Sequence, residues 1–423
     1  MTNMTAEADL NAQIIAAMGK KARQAAALLA HMPAGSRDAG LRAAAAALRE
    51  AAADILAANA RDMESFQGTS AFGDRLLLNP ARIEAMASGI EEVANLPDPL
   101  AAAPETWSRP NGLKISRVRQ PLGVLGMIYE SRPNVGADAA SIAIKSGNAI
   151  ILRGGSESYH SGKAISAAVT KGLSQAGLPE HAVQVAPSTD RRFVAAMLGA
   201  AGLIDLIIPR GGKSLVERVQ AEARVPVLAH AEGLNHTYIH KAADFAMARA
   251  VLANAKMRRT GVCGATESLL IDAAIAPALL PLLESDLRAL GCAFRADEAA
   301  RALCPTMDEA RPEDFDTEWL DAVLNVKLVS GVDDALAHIA AHGSEHTDAI
   351  ITDDPRAAEY FLAQVSSAVS MWNASTQFCD GGEFGFGAEI GIATGRIHAR
   401  GPIGPAQLTT FRYIVRGTGQ TRP

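Results

Sequence analysis

Cysteine is scarce in this chain, and no two cysteines are spaced as CxxC. Four of them, Cys263, Cys292, Cys304 and Cys379, in 423 residues exclude a disulfide framework or a zinc ribbon, and read as reduced thiols of a cytoplasmic protein. Uninterrupted apolar runs of about 18 residues, the length of a membrane-spanning helix, are missing as well. The longest candidate, Leu269–Leu283, is broken by Asp272, Pro277 and Pro281. No block of five like charges occurs, and 40 Lys plus Arg against 46 Asp plus Glu leave a net charge of −6. That balance argues against a nucleic-acid footprint and against an anionic-membrane anchor. Between Met1 and Leu10, Glu7 and Asp9 stand where a secretory signal needs a basic and then an apolar stretch, so no signal peptide is expected. Internal repeats and low-complexity linkers are absent too. The length itself predicts two or three domains of about 100–200 residues each.

What is present is an α/β pattern. Residues Asn11 to Phe66 are Ala-rich, with Ile14, Ile15, Met18, Leu41, Leu48, Ile55 and Leu56 at helical spacing and Pro33, Gly35 and Ser36 as punctuation. They predict two long helices. A further helix is expected over Pro80–Ala94, and strands over Lys114–Val118 and Leu122–Tyr129. Short apolar runs then alternate with helical patterns: Ala149–Leu152, Val183–Val185, Leu206–Ile208 and Val225–Leu228. This succession predicts a mostly parallel sheet wrapped by helices, with a nucleotide at the carboxyl ends of its strands. A second unit begins near Asn235. It has helices over Ala243–Lys256, Ile275–Leu290 and Asp333–Ala341, and strands over Ser268–Ile271, Val326–Ser330 and Ala349–Thr352. The Gly-rich tail closes on a strand, Leu408–Val415.

No GxGxxG fingerprint occurs, and Ile207 stands where Gly212-Lys213-Ser214 would need the first glycine of an ATP-binding loop. Two strand–Gly–Gly–helix junctions remain, Gly154-Gly155 and Gly211-Gly212. Each is either an ordinary tight turn or a place where free N–H groups and a positive helix end receive a phosphate. Cys263 lies in Arg258-Arg-Thr-Gly-Val-Cys-Gly, where the glycines leave the sulfur accessible and the arginines favour its thiolate. It is either a nucleophile or a small buried apolar residue. Asn134, in Tyr129-Glu-Ser-Arg-Pro-Asn-Val, is either a helix N-cap or an amide donor aimed at an oxyanion. His338, His342 and His346 have i, i+4 spacing, but Gly343 interrupts the helix and no HExxH occurs. Capping or substrate polarity is favoured over a metal, and no metal is expected.

Several segments together resemble the γ-glutamyl phosphate reductase (glutamate-5-semialdehyde dehydrogenase) family of the aldehyde dehydrogenase superfamily. They are Arg119-Gln-Pro-Leu-Gly-Val, Tyr129-Glu-Ser-Arg-Pro-Asn-Val, Ile151-Leu-Arg-Gly-Gly-Ser-Glu, Ile208-Pro-Arg-Gly-Gly-Lys, Leu324-Asn-Val-Lys, Val332 through Ile350, Asn373-Ala-Ser-Thr and His398-Ala-Arg-Gly-Pro-Ile-Gly. The likeness spans Asn11 to Val415, and Val332–Ile350 is its most specific stretch. It implies an aldehyde-dehydrogenase-like fold: a Rossmann-like NADP-binding domain over 1–110 and 126–234 (with part of 380–405 as a candidate addition), an α/β catalytic domain over 235–371 carrying Cys263, and an oligomerisation element from 111–125 and 406–418. It also implies NADPH-dependent reduction of L-glutamyl 5-phosphate in proline biosynthesis. Cys263 is then the nucleophile and Asn134 the oxyanion-hole amide. Arg153, Ser156 and Glu157 fall near the adenosine ribose, and Gly211, Gly212 and Lys213 face the cofactor phosphates. An Arg near the ribose suits the 2′-phosphate of NADP.

Arg132, Ser375, Thr376 and Arg400 are candidates for holding the amino-acid end of the substrate, Arg400 equally for an oligomer interface. A homodimer or tetramer is expected, with a glutamate 5-kinase as a further partner. Glu232 lies 31 residues before Cys263, near where hydrolytic relatives keep a general base. A hydrolytic semialdehyde dehydrogenase is therefore the competing enzyme reading, and a catalytically silent nucleotide-binding scaffold is the non-enzymatic one.

Overall fold

The computed structural model describes residues 2–67 and 70–422, with side-chain surroundings given for 10–67 and 72–422. Two compact units emerge: 1–229 with 385–391 and 403–423, and 230–384 with 392–402.

The first unit opens with helices α1 (Thr2–Leu29), α2 (Ala34–Glu50), α3 (Ala52–Ser65), α4 (Ser70–Leu76) and α5 (Pro80–Asn95). The two long helices expected before Phe66 are three, because the chain breaks at Ala51 as well as at Pro33. α5 starts where Asn79 accepts from the Arg82 N–H and Pro80 stands in the first turn, a position that needs no amide donor. Strands β1 (Glu105–Ser108), β2 (Lys114–Pro121) and β3 (Val124–Tyr129) follow, then α6 (Val135–Lys145), β4 (Ala149–Arg153), α7 (Tyr159–Gln175), β5 (Val183–Val185), α8 (Arg191–Leu198), β6 (Leu206–Arg210) and α9 (Lys213–Glu222). Four strands form a wholly parallel sheet in the order β5-β4-β3-β6. Every residue of β3 and β4 is buried, as near-continuous apolar strands covered on both faces must be. The strand expected over Val225–Leu228 is reduced to one bridge between Ile207 and Val227. The alanines of α2 let α7 approach closely, and a side chain on Gly172 would collide with the backbone of Ala43 and Ala44.

The second unit runs β7 (Asn235–Ile239), α10 (Phe245–Met257), β8 (Thr266–Asp272), α11 (Ala276–Ala289), β9 (Ala293–Ala296), α12 (Glu298–Leu303), β10 (Asp308–Glu309), β11 (Val323–Val329), α13 (Val332–His342), β12 (Thr347–Ile351), α14 (Pro355–Gln364) and β13 (Val369–Trp372). Its seven-stranded sheet is parallel throughout, in the order β10-β9-β11-β8-β7-β12-β13. Strand alternation sends Leu269 and Ile271 into the core under α11, and Leu270 to the opposite face with Tyr238, Val329, Ile350 and Phe361. The amino ends of the central strands are polar although buried: Asn235, His236, Thr237, Thr266, Glu267, Thr347 and Asp348. A short ribbon, β14 (Ile392–Ala393) and β15 (Gly401–Pro402), completes this unit.

Returning to the first unit, β16 (Thr409–Arg416) pairs antiparallel with β2, which pairs with β1. β16 is an edge strand, and Phe411, Tyr413 and Val415 on it are exposed. No helix among the described residues is long and apolar enough to cross a membrane.

Candidate active site

Cys263 sits in the turn between α10 and β8, half-buried. The polar amino ends of the strands explain its placement. Asn235, at the start of β7, donates from Nδ2 to the carbonyls of Cys263 at 2.6 Å and Ala265 at 2.9 Å. Its Oδ1 accepts from the Thr347 N–H at 3.1 Å, so one carboxamide ties together three neighbouring strand starts. Such a buried amide is fully used, which stiffens the turn that carries the sulfur. Gly233 packs on the same carbonyl, and a side chain there would run into the Cys263 backbone. The Gly233 N–H donates to Glu318 Oε1 at 2.8 Å.

Two imidazoles flank the thiol. The ligand atoms of His230, Cys263 and His346 all lie within 4.8 Å of one another. The His230 and His346 rings meet edge to face with centroids 5.2 Å apart. His346 is fully buried, and burial pushes its imidazole down to about 3, so it stays neutral at physiological pH. Arg258 and Arg259, the cations expected beside the thiol, are both exposed. Arg258 donates to Gln377 Oε1 at 3.3 Å. Sequence reasoning missed His230, which stands 33 positions before the cysteine with no local motif around it.

Behind β8, Lys256 Nζ and Glu267 Oε2 form an ion pair at 2.6 Å with both side chains buried. Burial pushes the Glu267 carboxyl up to about 7, against the pull of Lys256. Ser375 and Thr376 form a short helical turn beside the cysteine: a side chain on Gly264 would lie 3.4 Å from the Thr376 carbonyl. Their hydroxyls serve the fold. Ser375 accepts from the Gln377 N–H at 3.3 Å, and Thr376 shares a hydrogen bond with Thr266 at 3.0 Å. Arg400 is held by Glu345 at 3.1 Å and by the Thr394 carbonyl. Arg132 is half-buried on the turn after β3. His338 and His342 stack with centroids 4.4 Å apart, whereas Gly343 leaves the helix in an extended conformation and carries His346 away to the cysteine.

In the first unit the carboxyl ends of three adjacent strands carry the other candidates. Arg153 closes β4 and Arg210 closes β6, in register with Ile128 and Tyr129 at the end of β3. Glu130 follows β3 and accepts from the Gly212 N–H at 3.2 Å. A carboxylate oxygen thus lies at the head of α9, where Lys213 begins the helix. Glu157 accepts from the Ser131 N–H at 2.6 Å, with Ser131 at φ 58°, and Ser156 opens the short turn that holds it. Arg153 is 7 % exposed and donates to the Thr189 carbonyl at 2.9 Å, while its Nε is buried without a partner. Burial lowers its pKa, and Glu157 opposes that. Asn134 is no side-chain cap: it has helical dihedrals and its carboxamide donates to Asp138 Oδ2 at 2.8 Å.

Two parallel sheets, one with glycine turns at its strand ends and one with a cysteine turn, define an aldehyde-dehydrogenase-type oxidoreductase. The Aldehyde dehydrogenase family matches residues 2–316. A γ-glutamyl phosphate reductase of Acidiphilium cryptum is 73 % identical over 403 residues, covering 95 % of this chain and 96 % of the relative. One of Gluconobacter oxydans is 66 % identical, covering 97 % and 96 %. The crystal structure of the Thermotoga maritima γ-glutamyl phosphate reductase superposes with a TM-score of 0.95 at 39 % identity, covering 97 % of this chain and all of that one. An engineered glycolyl-CoA reductase with bound NADP+ shares the fold, with a TM-score of 0.66 at 15 % identity. The chain belongs to the aldehyde dehydrogenase family and, within it, to the γ-glutamyl phosphate reductases. It is an oxidoreductase of a family that uses nicotinamide cofactors.

Proposed function

We propose that this chain reduces L-glutamyl 5-phosphate to L-glutamate 5-semialdehyde and phosphate, with NADPH, in proline biosynthesis in the cytoplasm. The observation that carries the reading is the Cys263 turn, clamped by Asn235 through two hydrogen bonds and flanked by His230 and His346. The half-buried thiol loses its proton, and His230 is the neighbouring imidazole suited to take it, since neutral, buried His346 is too weak a base. The thiolate attacks the acyl carbon, the carbon–oxygen bond to phosphate breaks, and phosphate leaves with the electron pair. Asn134 and a backbone N–H near Cys263 are the proposed oxyanion donors, each worth roughly 3–4 kcal/mol.

The residues fit a dinucleotide phosphate. Glu130 shows that the Gly212 N–H at the head of α9 takes an anionic oxygen, which a cofactor phosphate would displace, and Arg153 keeps a buried Nε without a hydrogen-bond partner. Gly154, Gly155, Gly211 and Lys213 complete the two junctions, and Arg153 supports a preference for NADP over NAD. When bound, the reduced nicotinamide supplies hydride to the thioester carbon. The sulfur–carbon bond then breaks to release the aldehyde and the thiolate, which regains the proton held by His230. Arg132, Ser375 and Thr376 remain the proposed contacts for the amino-acid end. The exposed edge of β16 supports a homodimer or tetramer, and a kinase that supplies the acyl phosphate is a proposed partner.

One observation favours the hydrolytic alternative: Glu232 precedes the glycine that packs on the Cys263 carbonyl. The two readings separate in the oxidative direction with glutamate semialdehyde and NADP. Turnover that depends on phosphate or arsenate is expected, and undiminished turnover without either would overturn the reductase reading.

A further inference from the structure

We infer that His230, Cys263 and His346 form a binding site for a borderline-soft divalent cation, with Zn2+ the fitting ion, which caps the thiol and switches it off reversibly. The three residues precede β7, β8 and β12, which lie side by side in the sheet. The topology thus gathers them from 116 positions of sequence onto one edge.

Their ligand atoms lie within 4.8 Å of one another. A tetrahedral zinc with bonds of about 2.0–2.3 Å needs ligand separations of about 3.5 Å. Rotamer adjustments on the order of 1 Å close that gap, and the fourth position stays open for water.

The imidazoles are already oriented as metal ligands are. His230 donates from Nδ1 to the Ile392 carbonyl at 2.6 Å, which selects the tautomer with its lone pair on Nε2. A backbone carbonyl on the far nitrogen is the usual outer partner of a zinc-bound histidine. His346 Nδ1 pairs with Thr347 Oγ1 at 2.9 Å, while its Nε2 is fully buried and has no hydrogen-bond partner. A buried nitrogen in that state costs free energy until something coordinates it. Binding forms one sulfur–metal bond, and the thiol proton passes to solvent. His338 and His342 take no part, because they stack on each other away from this site.

The site stands on its own geometry, whereas its inhibitory effect rests on Cys263 being the nucleophile. The test uses the full chain, stripped by a chelator and titrated with Co2+ as the spectroscopic probe and with Zn2+ in competition. One ion per chain is expected, with a thiolate-to-cobalt charge-transfer band that Zn2+ abolishes. Cys263→Ser should remove the band and Cys304→Ala should leave it. His346→Gln and His230→Gln should each weaken binding by more than about 10-fold, since even outer-shell changes cost that much. In the active enzyme Zn2+ should inhibit, and chelator should restore activity. Absence of the band at saturating Co2+, or its undiminished survival in both histidine variants, overturns the site. Full activity of Cys263→Ala together with an intact wild-type band would instead overturn the nucleophile assignment and leave the site standing.

Discussion

Asn134, the residue before α6, and Asp138, in its first turn, stand four positions apart, and the Asn134 carboxamide donates to the Asp138 carboxylate at 2.8 Å. The bond fixes which end of the carboxamide is nitrogen and leaves its second N–H to point elsewhere. If that N–H meets the oxyanion, Asn134→Ala lowers kcat by about 10²–10³ with little change in KM. Asp138→Ala should lower kcat as well, and Asp138→Asn should recover most of it, because an amide oxygen still accepts. Steady-state kinetics of the three variants decide this, and equal losses in Asp138→Ala and Asp138→Asn would exclude positioning through the bond.

Asp138 also predicts a pH dependence of stability. Burial raises its carboxyl from 3.8 to about 6, and the Asn134 bond and Arg210 only partly offset this. A raised folded-state value means that the native chain holds the proton more tightly. The stability this contributes is complete below about pH 4 and is lost as pH rises through about 6. Asp138→Asn should therefore be more stable than the wild type at pH 7, by on the order of 3 kcal/mol, with the gain vanishing near pH 4. Urea denaturation at the two pH values measures it.

The Lys256–Glu267 pair makes a different stability prediction. Removing Lys256 leaves the buried Glu267 carboxylate uncompensated above neutral pH, so Lys256→Met should cost about 3–5 kcal/mol at pH 8–9 and less where the carboxyl takes up a proton. The double variant Lys256→Met with Glu267→Leu should recover most of that loss, because two apolar side chains need no partner. A double-mutant cycle by chemical denaturation reads both numbers.

For the proposed cofactor preference, Arg153→Gln is the informative change. The kcat/KM ratio of NADPH to NADH should fall by at least about 10-fold, the scale of one lost charge-assisted contact. An unchanged ratio would move the recognition of the 2′-phosphate elsewhere.

The proposed oligomer depends on β16. Arg117 and Arg119 lie over the exposed Phe411 ring at 4.7 and 5.1 Å, and Trp107 meets Tyr413 edge to face. An apolar edge strand of this kind invites pairing with a second sheet. Tyr413→Glu combined with Val415→Glu should reduce the assembled species in light scattering while leaving the far-ultraviolet spectrum intact.

Much of the element pattern was legible because it is local. The helix expected over Pro80–Ala94 runs Pro80–Asn95, and the strand expected over Ala149–Leu152 runs Ala149–Arg153. Strands with polar starts were harder. β7 reads Asn-His-Thr-Tyr-Ile and was not foreseen, since its first three residues are buried by hydrogen bonding instead of by apolarity. Capping by Asn134 was a sound local expectation, overturned because its backbone is already helical instead of extended, and its carboxamide nitrogen turns to Asp138.

The sequence by itself determined the family, the alternation of strands and helices, and which cysteine stands between glycines. Those are properties of short segments, where dihedral preference and hydrophobic period act over a few residues. Only the tertiary structure decided what faces the thiol. The i, i+4 spacing of His338 and His342 stacks those two rings, while Gly343 sends His346 to the start of β12 and the sheet order brings His230 beside it. Strand order in a parallel sheet is set by how crossover helices pack on both faces, and no window of the sequence records it.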